Sequence, residues 1–200
     1  MKRKSNYAQQ DFKKLLRFIA EAGLLKRVPR SGWAVVGVKP CESVAEHSFR
    51  CAVIGYVLAK MEHADAYRVL LMTLFNDIQE ARIGDLHKMA QRYIDGKASE
   101  DKALKEQITD LPGDVKGDLR ASTFAYRAQN CKESIIARDA DILECLIQAK
   151  EYYEFGFKEA IKFTQKAPKF LKTKSAKILW RKAEKEPLNA WWMEFSDFTR

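Results

Sequence analysis

The 200-residue chain is short of the residues that interrupt helices, with nine glycines and five prolines. Runs of β-branched residues are short as well. These scarcities argue against a sheet-rich fold and for a mostly helical one. The four cysteines, Cys41, Cys51, Cys131 and Cys145, stand far apart with no Cys-x-x-Cys pair. That spacing excludes zinc-ribbon and redox-motif readings and leaves reduced packing cysteines as the expectation. Charges interrupt every apolar run well before a membrane-spanning length, so no membrane partner is expected. No hydrophobic signal region follows the basic Met-Lys-Arg-Lys start, which makes a cytoplasmic chain the expectation. Internal repeats, low-complexity tracts and a Gly-rich phosphate loop are also missing, so phosphate binding through such a loop is excluded.

Charge is plentiful but unevenly spread. The formal net charge is +9. From Lys158 to Lys185, ten Lys or Arg stand against two Glu, a net of +8 that accounts for nearly all the excess. Such a segment is either a solvated helix face or a surface that steers anions such as nucleotides or nucleic acid.

The chain is organised around Cys41 to Asp85. Ser43 and Glu46 form a Ser-x-x-Glu capping box, which predicts a helix starting at Ser43 with His47 in its first turn. Val44, Cys51, Ile54, Val57 and Leu58 follow helical spacing. A second apolar helix is predicted from about Asp65 through Leu70, Leu71, Leu74 and Phe75, and it delivers Asn76, Asp77 and Glu80. The i,i+3 spacing predicts Asp77 and Glu80 on one helix face. Carboxylates at the end of an apolar helix are costly to bury unless something positive binds them, and a metal ion is the natural candidate. Upstream, Phe12, Leu15, Leu16, Phe18 and Ile19 predict an amphipathic helix over Gln10 to Ala22, followed by a Pro- and Gly-punctuated loop carrying Lys26, Arg27, Arg30 and Trp33. Downstream, Gly84 permits a turn into Asp85, with His87 and Lys88 close by. Helices near Ser99 to Thr109 and Gly113 to Arg127 read as a lid or insertion without identifiable chemistry. A long helix follows from Cys131 to Phe157, its apolar face interrupted by Asp139 and Asp141. A basic amphipathic helix ending before Pro187 and a last helix from Leu188 to Phe198 complete the reading. The aromatics Trp191, Trp192, Phe195 and Phe198 are expected to dock onto the domain or a dimer partner.

Three segments together, Ser-Val-Ala-Glu-His, Asn-Asp-Ile-Gln-Glu-Ala-x-Ile-Gly-Asp and Arg-Asp-Ala-Asp-Ile-Leu-Glu, resemble the HD-domain phosphohydrolase superfamily, in its 5′-deoxynucleotidase-like branch. The resemblance implies a single all-α domain over 1–200, a bundle of about eight to ten helices with its core at 10–157 and basic, aromatic helices at 158–200. It implies a divalent ion (manganese, cobalt, nickel, iron, zinc or magnesium) held by His47, Asp77 and Asp141, with Asp139 the alternative to Asp141. Glu80, with Asp77, would do the catalytic work. Arg30 would hold the phosphate, with Arg27 open as an alternative. Trp33 and Asp85 would shape the nucleoside pocket, and Lys88 would add a point charge for phosphate. The implied substrate is a nucleoside or deoxynucleoside monophosphate, and the implied assembly a homodimer.

One position departs from the pattern: Asn76 stands where the family has the histidine of its His-Asp pair. An amide oxygen is a weaker ligand than imidazole for a borderline transition metal, though acceptable to magnesium or manganese. Three readings stay open. The site binds metal with a poorer ligand and still hydrolyses phosphate. It binds nucleotide without turnover. Or Asn76 is an introduced change that traps substrate. The alternative function is a catalytically inactive nucleotide- or nucleic-acid-binding protein using the basic 158–185 segment.

Overall fold

A computed structural model describes residues 12–195, and within them every regular element is helical, apart from one isolated antiparallel bridge between Pro29 and Ser43. The helix expected from Gln10 therefore begins outside the described residues, and so does Phe198. The α-helices are α1 (Phe12–Leu24), α2 (Ser31–Val35), α3 (Val44–Met61), α4 (Ala66–Phe75), α5 (Glu80–Ile83), α6 (Gly96–Ile108), α7 (Gly113–Ala128), α8 (Lys132–Glu154) and α9 (Lys174–Ala183). The all-α architecture is thus the one the sequence leads one to expect. No helix of the described residues is long and apolar enough to cross a membrane.

The two helices that matter most for the site start as their caps dictate. Ser43 Oγ accepts the Glu46 N–H at 3.2 Å while the Glu46 carboxylate accepts the Ser43 N–H at 2.6 Å, closing the capping box of α3. Asp65 caps α4 by accepting the N–H groups of Tyr67 and Arg68. The two helices cross closely at Gly55, where a Cβ would come within 3.0 Å of the Val69 and Thr73 side chains. Helix α8 packs against both. Leu58, Val69, Met72, Ile136, Leu143 and Leu146 form the shared core, joined by Trp180 of α9. Each fully buried aliphatic side chain contributes roughly 1.5–3 kcal/mol. A second cluster, including Val44, Ile78, Leu104, Ile108 and Leu119, seats α6 and α7 beside α5.

Two expectations are corrected. Helix α4 ends at Phe75, and the chain then runs through tight turns, with Ile78 N–H on Phe75 C=O and Glu80 N–H on Asp77 C=O, before α5 opens at Glu80. Asp77 and Glu80 therefore flank a break instead of sharing one helix face. At the C-terminal end, the expected helix from Leu188 is a short 3₁₀ stretch, Trp191–Phe195, within the described residues. On this chain Trp191, Trp192 and Phe195 are exposed and do not dock onto the domain.

Candidate active site

The cap of α3 drives His47 inward, where its side chain is 1% exposed. Its Nε2 lies 3.3 Å from Asp141 Oδ1 on α8 and 3.7 Å from Asp77 Oδ2 in the α4–α5 break. Its Nδ1 makes a short hydrogen bond to Glu144 Oε2, one turn beyond Asp141. The three helical elements expected to build the site thus converge on one imidazole.

Each neighbour is held in turn. Asp141 Oδ2 accepts from Tyr126 Oη at 2.9 Å and from Arg138 Nη1 at 2.7 Å. Asn76 turns its amide nitrogen to Asp77 Oδ1 at 2.7 Å, so its oxygen would face that way only after the amide rotates. Gly84, at φ +73, allows the turn that brings Asp85 back to accept the Ser31 N–H at 2.7 Å. Arg30 precedes α2, and Asp77, Asp141 and Asp85 raise its affinity for a proton further, against the effect of burial. A cavity of about 570 Å³ is lined by Arg30, Trp33, Asn76, Asp77, Glu80, Asp85, Lys88 and Asp141 among others. The preferred candidates Arg30, Trp33, Asn76, Asp77, Glu80, Asp85, Lys88 and Asp141 therefore line one space, His47 lies behind two of them, and the alternatives Arg27 and Asp139 are not in the lining. A larger cavity between α6 and α7 is lined mainly by lysine, arginine and apolar side chains and holds neither histidine nor paired carboxylates.

The structure separates the two aspartates of α8. Asp139 is fully buried, and its carboxylate accepts the backbone N–H groups of Lys172 and Thr173 at 2.6–3.1 Å. It anchors the approach to α9 and faces away from His47's partners. Trp33 is 2% exposed, packed against Tyr152 and Phe163, with its indole N–H on Glu42. It is a fixed wall of the cavity. Lys88 is exposed, its ammonium donating to Gln91.

Burial opposes charge throughout the site, and it prevails at Glu80 and Asp77 but not at Asp141 and His47. It pushes Glu80 up to about 10, with help from Asp77 and Asp85, and Glu80 Oε2 is buried without a hydrogen-bond partner. Asp77 is raised mainly by burial. Asp141 is lowered despite burial, because His47, Arg138 and Arg30 favour its charge. Burial works against the imidazolium of His47, but Cys51, Asp141 and Glu144 outweigh it and raise the group well above its ordinary value.

On the Nε2 side, His47 stands 3.3 Å from Asp141 and 3.7 Å from Asp77, near the roughly 3 Å that separates ligand atoms held about 2.1 Å from one ion. Among the described residues, the three ligand atoms that lie within 4.8 Å of one another belong to His47, Cys51 and Glu144. There, however, the Arg50 guanidinium already holds Glu144, at 2.8 Å, and repels a second cation.

Sequence reasoning gives no site role to Arg50, Arg138 or Tyr126, and Glu144 enters it only as the end of the Arg-Asp-Ala-Asp-Ile-Leu-Glu segment. Arg50 stands at i+3 from His47 and Glu144 at i+3 from Asp141, so helical spacing alone puts each on its neighbour's face. Arg138 stands at i−3 from Asp141 and pairs with it at 2.7 Å. Tyr126 had no local signal, because α7 was read as a lid without chemistry, yet it bonds Asp141.

The HD domain family model matches residues 22–197. The chain is 34% identical over 139 residues to the 5′-deoxynucleotidase HDDC2 of Bos taurus, covering 69% of this chain and 67% of that protein. Against the 5′-deoxynucleotidase HDDC2 of Homo sapiens it is 32% identical over 145 residues, covering 72% and 71%. Among solved structures it is similar to a conserved hypothetical protein from Pyrococcus furiosus, with a TM-score of 0.70 and 31% identity over 84% of this chain and 96% of that one. With the family model spanning most of the chain, relatives at this identity, and His47, Asp77 and Asp141 gathered at the centre, the chain belongs to the HD-domain family, in its 5′-deoxynucleotidase-like branch.

Proposed function

We propose that this chain is a metal-dependent phosphohydrolase that removes the 5′-phosphate from deoxynucleoside monophosphates. The observation that carries the reading is the buried His47 Nε2 facing two carboxylates beside a cavity that also holds Arg30. The cavity volume lies in the range of small-molecule sites. His47, Asp77 and Asp141 would hold a divalent ion, and Asn76 would join them through its amide oxygen. Once bound, such an ion polarises a phosphate oxygen and makes water a stronger nucleophile at neutral pH. Arg30 offers a planar fork to the phosphate dianion. Glu80, whose buried carboxyl is raised above the ordinary range in the metal-free chain, would give a proton to the departing 5′-oxygen. Asp85, on the turn after Gly84, accepts from a sugar hydroxyl, Trp33 walls the nucleoside, and Lys88 adds charge at the rim.

We assign the amide oxygen of Asn76 a preference for the harder cations, manganese or magnesium. A homodimer fits the exposed apolar stripe Phe49, Val53, Tyr56 and Val57 on α3. The test is phosphate release from a panel of nucleoside monophosphates with added manganese, cobalt or magnesium. Release that disappears in Asp77→Ala supports the reading. A metal-loaded sample that releases no phosphate from any nucleotide or generic phosphate ester rejects it.

A further inference from the structure

Arg50 lies one helical turn after His47 on α3 and never enters the cavity-lining set, yet it makes the densest polar contacts near the site. Its Nε and Nη2 donate to Glu144 Oε1 at 2.9 and 2.8 Å. Its Nη1 donates to Glu151 Oε2 at 2.6 Å, and its Nη2 also makes a short bond to Gln148 Oε1. Glu144, Gln148 and Glu151 stand at i, i+4 and i+7, so one guanidinium grips one stripe of α8 over two turns. Glu144 is fully buried, and its two oxygens divide the work: Oε1 serves Arg50 and Oε2 serves His47 Nδ1.

We infer that Arg50 is a positioning residue that fixes Glu144 so that Glu144, in turn, holds the His47 ring with Nε2 aimed at Asp77 and Asp141. An ionised carboxylate only accepts hydrogen bonds, so a Glu144 held by Arg50 demands a proton on Nδ1. The lone pair available to a cation is then the one on Nε2. The arrangement also aims the ring. Two donors fix the carboxylate plane, and that plane fixes where the Nδ1–H must point. The inference rests on the reading of this site as a metal centre, and nothing in the substrate-binding wall of the cavity is needed for it.

The test uses two readouts on the full chain. The first is the His47 Nδ1–H proton resonance, which a buried hydrogen bond to Glu144 protects from exchange, and which is assigned by its absence in His47→Gln among only three histidines. The second is manganese affinity by competition titration. Arg50→Gln is expected to lose the protected resonance and to weaken manganese about 10–100-fold, the range for partners of a metal-binding histidine. Arg50→Lys keeps the charge without the fork and is expected to fall between the two. An Arg50→Gln protein that keeps the resonance and binds manganese within twofold of the parent overturns the inference. If Arg50→Gln does not fold, Arg50→Lys decides: an unchanged resonance and affinity overturn it, and a several-fold loss with unchanged helicity supports it. If the parent itself binds no metal, the metal-centre reading fails. Loss of the resonance in the variant then still shows that Arg50 positions His47, which keeps the two failures apart.

Discussion

Around the buried His47, charged groups meet partners at defined atoms: the partly buried Asp141 meets Tyr126 and Arg138, and the buried Glu144 meets Arg50 and the imidazole. Between Lys158 and Lys185 all ten basic side chains are exposed. The same kind of residue obeys different rules in the two regions. A buried charge needs a partner at a defined place, so its position carries chemical information. A solvated lysine or arginine needs none, so these ten say little beyond the sign of the surface potential.

If that contrast is right, substitutions in the first region should be drastic and specific, and those in the second mild. The largest effect is expected from Asp77→Ala, which should abolish both metal binding and phosphate release, read by metal content and a phosphate assay. Glu80→Gln should lower kcat by about 10²–10⁴-fold, the usual range for a lost proton donor, with metal content unchanged.

Two residues of α8 sharpen the comparison further. Asp141→Ala should cost manganese affinity. Asp139→Ala should leave it intact and instead lower stability by roughly 1–3 kcal/mol, because the Lys172 and Thr173 N–H groups lose their acceptor. Chemical denaturation and a metal titration separate the two outcomes.

Stability of the metal-free protein should also depend on pH through Glu80. A carboxyl raised on folding keeps its proton in the folded chain and releases it on unfolding, so stability falls as pH climbs from its ordinary value towards about 10. Glu80→Gln removes that slope and should raise the melting temperature at pH 8 by several degrees, given about 2–4 °C per kcal/mol for a chain of this size. An unchanged slope would place the titration elsewhere. The smallest effect is expected from Lys177→Glu, exposed on α9, within about 0.5 kcal/mol of the parent. If that reversal weakened salt-dependent oligonucleotide binding, the basic segment would have a nucleic-acid role after all.

The same contrast explains what could be read from the sequence. Ser43 and Glu46 declare α3 because a capping box is a local device, and Asp65 does the same for α4. His47, Asp77 and Asp141 lie in the segments that carry the family resemblance, and the structure brings them to one place, with Arg30 in the same cavity lining. The choice between Asp139 and Asp141 was not legible, since it depends on two backbone N–H groups more than thirty residues away. Tyr126 was missed for the same reason: only the packing of α7 on α8 brings its hydroxyl to Asp141. The Trp191–Phe195 stretch was legible as aromatic but not as exposed on this chain, because clustered aromatics do not say which surface receives them.

The most direct test compares this chain with Asn76→His, measuring bound metal and phosphate release from nucleoside monophosphates at saturating manganese and magnesium. The account predicts that both release phosphate and that Asn76→His binds manganese more tightly. If neither releases phosphate while fully loaded with metal, the cluster around His47 is not a hydrolytic centre and the account is wrong.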